Sequence, residues 1–157
     1  MTGFDGDLAE LAASMRETMV AAPGVGLAAP QVGRPIRLFV YDSGEGGEAG
    51  TLVNPAIVWS SDETEEGEEG CLSLPGVYYP VVRALRVRLE AQDLTGSSVI
   101  QEAEGFLARI FQHEIDHLDG ILFIERLAPE IRKEAMRALR DQDFGMAPPP
   151  TARERAL

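Results

Sequence analysis

Between residues 83 and 118 the spacing of apolar side chains changes once, and that change limits what the chain can fold into. Over residues 83–93, Leu85, Val87, Leu89 and Ala91 alternate with Arg86, Arg88 and Glu90. This is the pattern of a half-buried antiparallel strand, one face apolar and one wetted. Residues 94–98 supply a turn, and residues 99–102 return as its hairpin partner. From Glu104 the period becomes helical: Phe106, Leu107, Ile110, Phe111, Ile115 and Leu118 share a broad apolar face, and Gly120 closes it. Strands first and a long apolar helix later predict an α+β fold, mainly antiparallel sheet packed around one central helix.

The rest of the chain fits that outline. Leu8, Leu11, Ala12, Met15 and Met19 form one face of an amphipathic helix over residues 5–21, stopped by Pro23 and Gly24. A glycine-rich turn follows at 24–33, then a buried strand at 36–41 and a loop at 42–50. Short strands are expected at 51–53 and 56–60, separated by an Asn54-Pro55 turn. The acidic run at 61–69 reads as a solvated loop. A last helix is expected from Pro129 to about Gln142, with Ile131, Ala135, Met136 and Leu139 inward. Residues 1–144 then make one catalytic domain, and 145–157, with three consecutive prolines, a flexible tail.

Composition excludes several classes of function. The net charge of −12 disfavours direct binding to nucleic acid. Residues 1–124 hold 7 basic against 20 acidic side chains, whereas 125–157 hold 7 against 6 and are the one stretch where an anionic partner has a footing. No apolar run approaches the roughly 18 residues of a membrane span, and the acidic N-terminus does not read as a signal peptide. A single cysteine excludes an internal disulfide and suits a reducing, cytoplasmic setting.

Chemistry concentrates in His113-Glu114-Ile115-Asp116-His117. On a helix, i and i+4 lie one turn apart on one face, so two imidazoles can converge on one metal ion. Glu114 is placed to handle a proton beside that ion without ligating it. These are the only two histidines of the chain, which makes a chance match improbable. A catalytic site of this kind takes three protein ligands and leaves one position open. For the third there are two sources. One is a downstream carboxylate (Glu125, Glu130 or Glu134), as in zinc peptidases. The other is Cys71, flanked by the permissive Gly70 and by a Leu74-Pro75-Gly76 turn signal that places it at the end of an extended segment. The 24–33 turn fails as a phosphate loop, since it lacks a third glycine and a Lys-Ser/Thr pair and precedes a strand. Its glycines let backbone approach a ligand, and Gln31 ends it with a neutral hydrogen-bond donor suited to a developing oxyanion.

Three segments together resemble the peptide deformylases: Gly24-Val25-Gly26-Leu27-Ala28-Ala29-Pro30-Gln31, then Glu69-Gly70-Cys71-Leu72-Ser73, then Gln112-His113-Glu114-Ile115-Asp116-His117. All three occur in family order, and the likeness extends from about Leu8 to Leu139. The resemblance implies that Cys71, His113 and His117 bind one divalent metal, Fe2+ in the cell, with Zn2+, Ni2+ or Co2+ able to replace it. It implies hydrolysis of the formyl group from formyl-methionine at the terminus of newly made polypeptides, with release of formate. Glu114 would act as the proton carrier, with the Gln31 amide and the Leu72 backbone N–H holding the oxyanion. Gly26 and Gly70 would present backbone to the substrate, and Val25, Phe106 and Ile110 would line the methionine pocket. Asp116 would orient its surroundings. The expected partners are N-formyl-methionyl nascent peptides and the ribosome that carries them, met by a monomer in the cytoplasm with no membrane and no direct nucleic acid contact. Gly76-Val77-Tyr78-Tyr79 stands where relatives often carry an arginine near the substrate entrance, while Arg83 is retained.

Overall fold

The computed structural model describes residues 3–142; the tail expected at 145–157 lies outside them. Helix α1 (Gly6–Ala21) is started by Asp5, whose side chain accepts from the Leu8 N–H. It buries Leu8, Ala12, Met15 and Met19 against the strands that follow. Strands β1 (Gly26–Ala28), β2 (Leu38–Asp42), β3 (Ala49–Ser60), β6 (Arg86–Gln92) and β7 (Ser98–Glu104) form one sheet in that spatial order. Strands β4 (Thr64–Cys71) and β5 (Leu74–Ala84) pair separately as a long ribbon. Every pairing among the described residues is antiparallel.

Helix α2 (Phe106–Leu118) lies between the sheet and the ribbon, and residues 108–111 and 113–117 are all buried. Phe111 seals it to the sheet, with its ring 4.9 Å from Tyr41 at 85° and 5.8 Å from Phe39. Such aromatic pairs add about 0.5–1.5 kcal/mol each beyond the area they bury. On the ribbon side, the Gln112 side chain both accepts from the Ala84 N–H (3.1 Å) and donates to the Ala84 carbonyl (2.9 Å). The α+β fold around a central helix is therefore as the apolar periods predict. No helix among the described residues is long and apolar enough to cross a membrane.

Four expectations need correction. The Asn54-Pro55 pair does not end a strand: β3 runs through it, with Asn54 in the left-handed region (φ 50°) and a register shift between Val53 and Ala56. The Asn54 side chain donates to Gln92 at 2.7 Å and its N–H to the Arg37 carbonyl, so the bulge is bonded and Pro55 sits where no ladder donor is needed. The acidic run at 61–69 is mostly strand β4, its charge carried by the exposed Glu65, Glu66 and Glu68 while Glu69 is buried. The turn after Cys71 is the tight Leu72–Ser73 pair, and Pro75 and Gly76 already belong to β5. Finally, α3 (Pro129–Gln142) has the expected bounds, but it buries Ala135 and leaves Ile131 and Met136 exposed. It lies across the ribbon rather than inside the core, so a narrow stripe suffices.

Candidate metal centre

Three elements deliver the centre. Strand β4 ends at Cys71, where the β4–β5 ladder is broken by a register shift before the two-residue turn. The last two turns of α2 supply His113 and His117, four residues apart. All three side chains are buried, and their ligand-capable atoms lie within 4.8 Å of one another. Cys71 Sγ is 3.1 Å from His117 Nε2, which is 3.1 Å from His113 Nε2. A tetrahedral ion with bonds of about 2.3 Å to sulfur and about 2.0–2.1 Å to nitrogen needs edges only slightly longer than these.

Electrostatics prepare the donors for a cation. Glu69, fully enclosed, accepts from Arg83 Nε (2.8 Å) and Nη2 (2.9 Å), from Arg109 Nη1 (2.7 Å) and from His113 Nδ1 (2.9 Å). Burial by itself raises the pKa of this carboxyl, but the Arg83 and His113 hydrogen bonds override it and hold Glu69 at about 2. An ionised carboxylate can only accept, so His113 Nδ1 is the donor in this contact and Nε2 is the ring nitrogen turned toward His117. Burial, then the neighbouring His113, push His117 down to about 3, leaving it neutral at working pH. The Cys71 thiol is pushed up to about 11, chiefly by burial. A thiol disfavoured as an anion by burial gains most from a cation in its cavity, which would favour the thiolate.

Glu114 has no such support. Among the described residues neither carboxyl oxygen has a hydrogen-bond partner, and the side chain is wholly buried. Burial, then the charge of Glu69, raise its pKa well above the ordinary carboxylate range. The backbone of Gly26 lies against it: a Cβ there would stand 2.8 Å from the carboxyl carbon. Gln31 approaches the cysteine instead. Its Oε1 accepts from the Ala28 N–H at 2.8 Å, which turns the NH2 group toward Ser73 Oγ (2.9 Å) and Cys71 Sγ (3.6 Å).

The sequence model of the polypeptide deformylase family matches residues 1–133. The chain belongs to this family. A peptide deformylase of Acidothermus cellulolyticus is 52% identical over 144 residues, covering 92% of this chain and 78% of that protein. The crystal structure of the deformylase from Thermus thermophilus superposes with a TM-score of 0.84 at 48% identity, covering 90% of this chain and 84% of that one. The deformylase of Synechococcus elongatus in complex with actinonin gives 0.84 at 38% identity, covering 93% and 80%. The protein is thus a hydrolase that removes the N-formyl group from formyl-methionine at the terminus of newly made polypeptides, releasing formate. Deformylases are metal-dependent, and a Cys/His/His group suited to an ion is present here.

Within the deformylase fold, the other expected residues are placed unevenly. Val25 and Ile110 are buried together in the main core cluster. Phe106 is not enclosed: it opens α2 and is 47% exposed, about two turns before His113. Leu72 begins the β4–β5 turn and packs its side chain on the α1 cluster. Gly70 is buried, and a Cβ there would enter the Tyr78 ring, which lies on its backbone. Glu125 is used locally, accepting from the Leu122 N–H at 2.8 Å, and Glu130 and Glu134 are exposed on α3. Those three carboxylates do not join the histidines.

Glu69, Arg109, Phe123 and Arg126 are the residues that sequence reasoning missed. Glu69 was hidden among five other acids, although its place in the Glu69–Ser73 motif was a usable signal. Arg109 reads as a charge on an apolar helix, yet it is buried and also donates to the carbonyls of Gly67, Val81 and Glu65.

Proposed function

We propose that Cys71, His113 and His117 together hold the metal on which this enzyme's deformylation depends, with Fe2+ as the resident ion in the cell and Zn2+, Ni2+ or Co2+ as substitutes. The observation that carries the reading is the buried triad itself: a thiol and two imidazoles whose ligand-capable atoms lie within 4.8 Å of one another. One soft and two borderline donors suit first-row ions, and their affinity order does not by itself favour iron. Bound there, a divalent ion supplies Lewis acidity toward the formyl oxygen and acidifies a water molecule.

The chain's own residues do the rest. Glu114, buried and without a hydrogen-bond partner, takes a proton from the attacking water and returns it to the departing amine. The Gln31 NH2 group, aimed by the Ala28 N–H, and the Leu72 backbone N–H at the start of the turn donate to the tetrahedral oxyanion. Losing one such donor costs about 3–4 kcal/mol of transition-state stabilisation. Backbone at Gly26 and Gly70 receives the formyl-methionyl peptide in extended form. Val25 and Ile110 line the floor of the methionine pocket, with Phe106 at its open rim.

Residues 1–144 act as one catalytic domain, as a monomer in the cytoplasm. The groove along α3, rimmed by Arg132, Lys133, Arg137 and Arg140, supports ribosome association in an otherwise acidic molecule. The deciding experiment pairs metal analysis with formate release from formyl-Met-Ala-Ser. Wild-type protein purified anaerobically is expected to hold one equivalent of metal and turn over, and Cys71→Ser to lose the metal. A Cys71→Ser protein that keeps a full equivalent would sink the triad.

A further inference from the structure

We propose that Arg126 is a positioning residue for the metal centre, acting on His113 through Asp116, Arg83 and Glu69. The inference rests on the metal reading given above and adds a surface-accessible residue to it.

Arg126 ends a 3-10 turn, Phe123–Arg126, that follows α2. Its Nε and Nη2 donate to Asp116 Oδ2 and Oδ1 at 3.0 and 2.7 Å, a two-pronged grip on the carboxylate between the two histidines. Asp116 Oδ2 also accepts from Arg83 Nη1 at 2.7 Å. The other edge of Arg83 grips both oxygens of Glu69, and Glu69 Oε1 receives the His113 Nδ1 proton. Five side chains thus form one path from solvent to a metal-facing ring. Arg126 is its wet end: its side chain is 46% exposed, against 9% for Asp116 and 0% for Glu69.

The planarity of guanidinium gives the path its stiffness. Arg83 bonds two carboxylates along different edges of one rigid plane, so any swing of Asp116 tilts the edge lying on Glu69. Without Arg126, Asp116 keeps a single charged partner and regains freedom to rotate. The same 3-10 turn also packs the Phe123 ring over His113, centroids 6.0 Å apart at 27°. One short segment therefore addresses His113 by its ring face and, through the ion pairs, by its Nδ1. Partners of a ligating histidine typically change metal affinity 10–100-fold; Arg126 acts from further out, so an effect near tenfold is expected.

The test loads wild type, Arg126→Ala, Arg126→Lys and the exposed α3 control Arg132→Ala with Co2+. It measures the rate of Co2+ loss to excess chelator, the visible absorption of the bound ion, and the Tm of the metal-free protein. Arg126→Ala should lose Co2+ about ten times faster with an altered spectrum, while its metal-free Tm stays within about 2 °C. Arg126→Lys keeps the charge but not the grip and should fall between; Arg132→Ala should match wild type. Retention of Co2+ within twofold of wild type by Arg126→Ala overturns the proposal, as does a faster loss shared equally by Arg132→Ala. If Arg126→Ala does not fold, Arg126→Lys decides by the same criterion. A wild type that takes up no Co2+, or a Cys71→Ser protein that holds it as tightly, brings down the metal reading first and this inference with it.

Discussion

Glu69 and Glu114 are equally sealed from water, one bonded to His113 and the other its neighbour in the chain, yet their surroundings are opposites. Glu69 receives four hydrogen bonds from two arginines and the His113 ring, and its pKa falls from 4.5 to about 2. Glu114 receives none, and its pKa rises well above 4.5. Burial penalises both charges alike; what differs is whether anything is built to receive the charge. The carboxylate that anchors His113 is held by charged partners, and the one proposed to carry a proton has none among the described residues. A general base tied into two arginines would be too weak to act.

The largest test of that contrast is Glu114→Ala. Formate release should fall about 10³-fold, while the metal-free protein keeps its stability within about 1 kcal/mol, because the new cavity and the removal of an unpaired carboxyl offset each other. Substantial residual turnover would break the assignment. Glu69→Ala should instead show itself in stability. It leaves Arg83 and Arg109 buried without their main anion, so chemical denaturation should register a loss of about 3–5 kcal/mol. A variant as stable as wild type would show that the pairing is ornamental.

The third test is pH. The pKa of Glu69 is lowered on folding, so its contribution is present above about pH 5 and lost as pH falls toward 2. Between pH 6 and pH 3 the metal-free wild type should lose about 2 kcal/mol more than Glu69→Gln. Glu114 has the opposite sign. Its raised pKa means that the unfolded chain ionises first, so metal-free stability should decline as pH climbs above the ordinary carboxylate range, and Glu114→Gln should flatten that slope. Parallel profiles for the two variants would erase the distinction. The smallest effect is expected from Gly26→Ala. The added methyl meets the Glu114 carboxyl, which must shift, and kcat should drop roughly tenfold. Unchanged kcat would mean that the carboxyl does not need its seat on Gly26.

Local pattern carried much of the architecture. The alternation at Val87, Leu89 and Ala91 and the helical face at Ile110, Phe111 and Ile115 are both buried as read, since period alone decides which side of an element is apolar. The spacing of His113 and His117 placed two imidazoles together because the helix itself sets that distance. The β4 strand was not legible: six acids in nine residues look like solvated loop, and only the partner strand β5, with Val77 and Val81 buried, makes the segment extended. Asn54 and Pro55 carry turn chemistry, and pairing with β6 both before them, at Val53, and after them, at Ala56, turned it into a bulge. Ile131 and Met136 misled because a helix laid on a surface buries less than its pattern permits.

By itself, then, the amino-acid order determined the α+β class, the paired histidines with Glu114 beside them, and the likeness that places Cys71 in the same centre. Only the tertiary structure decided which of two kinds of third donor reaches the histidines, and which of 26 acidic side chains is an ionised anchor and which a bare carboxyl. The physical reason is that helical spacing and strand alternation are short-range geometry, written within a few residues. Desolvation and hydrogen-bond pairing depend on groups 14 to 44 residues away, such as Arg83, Arg109 and His113 around Glu69, and exist only once the chain has closed on itself.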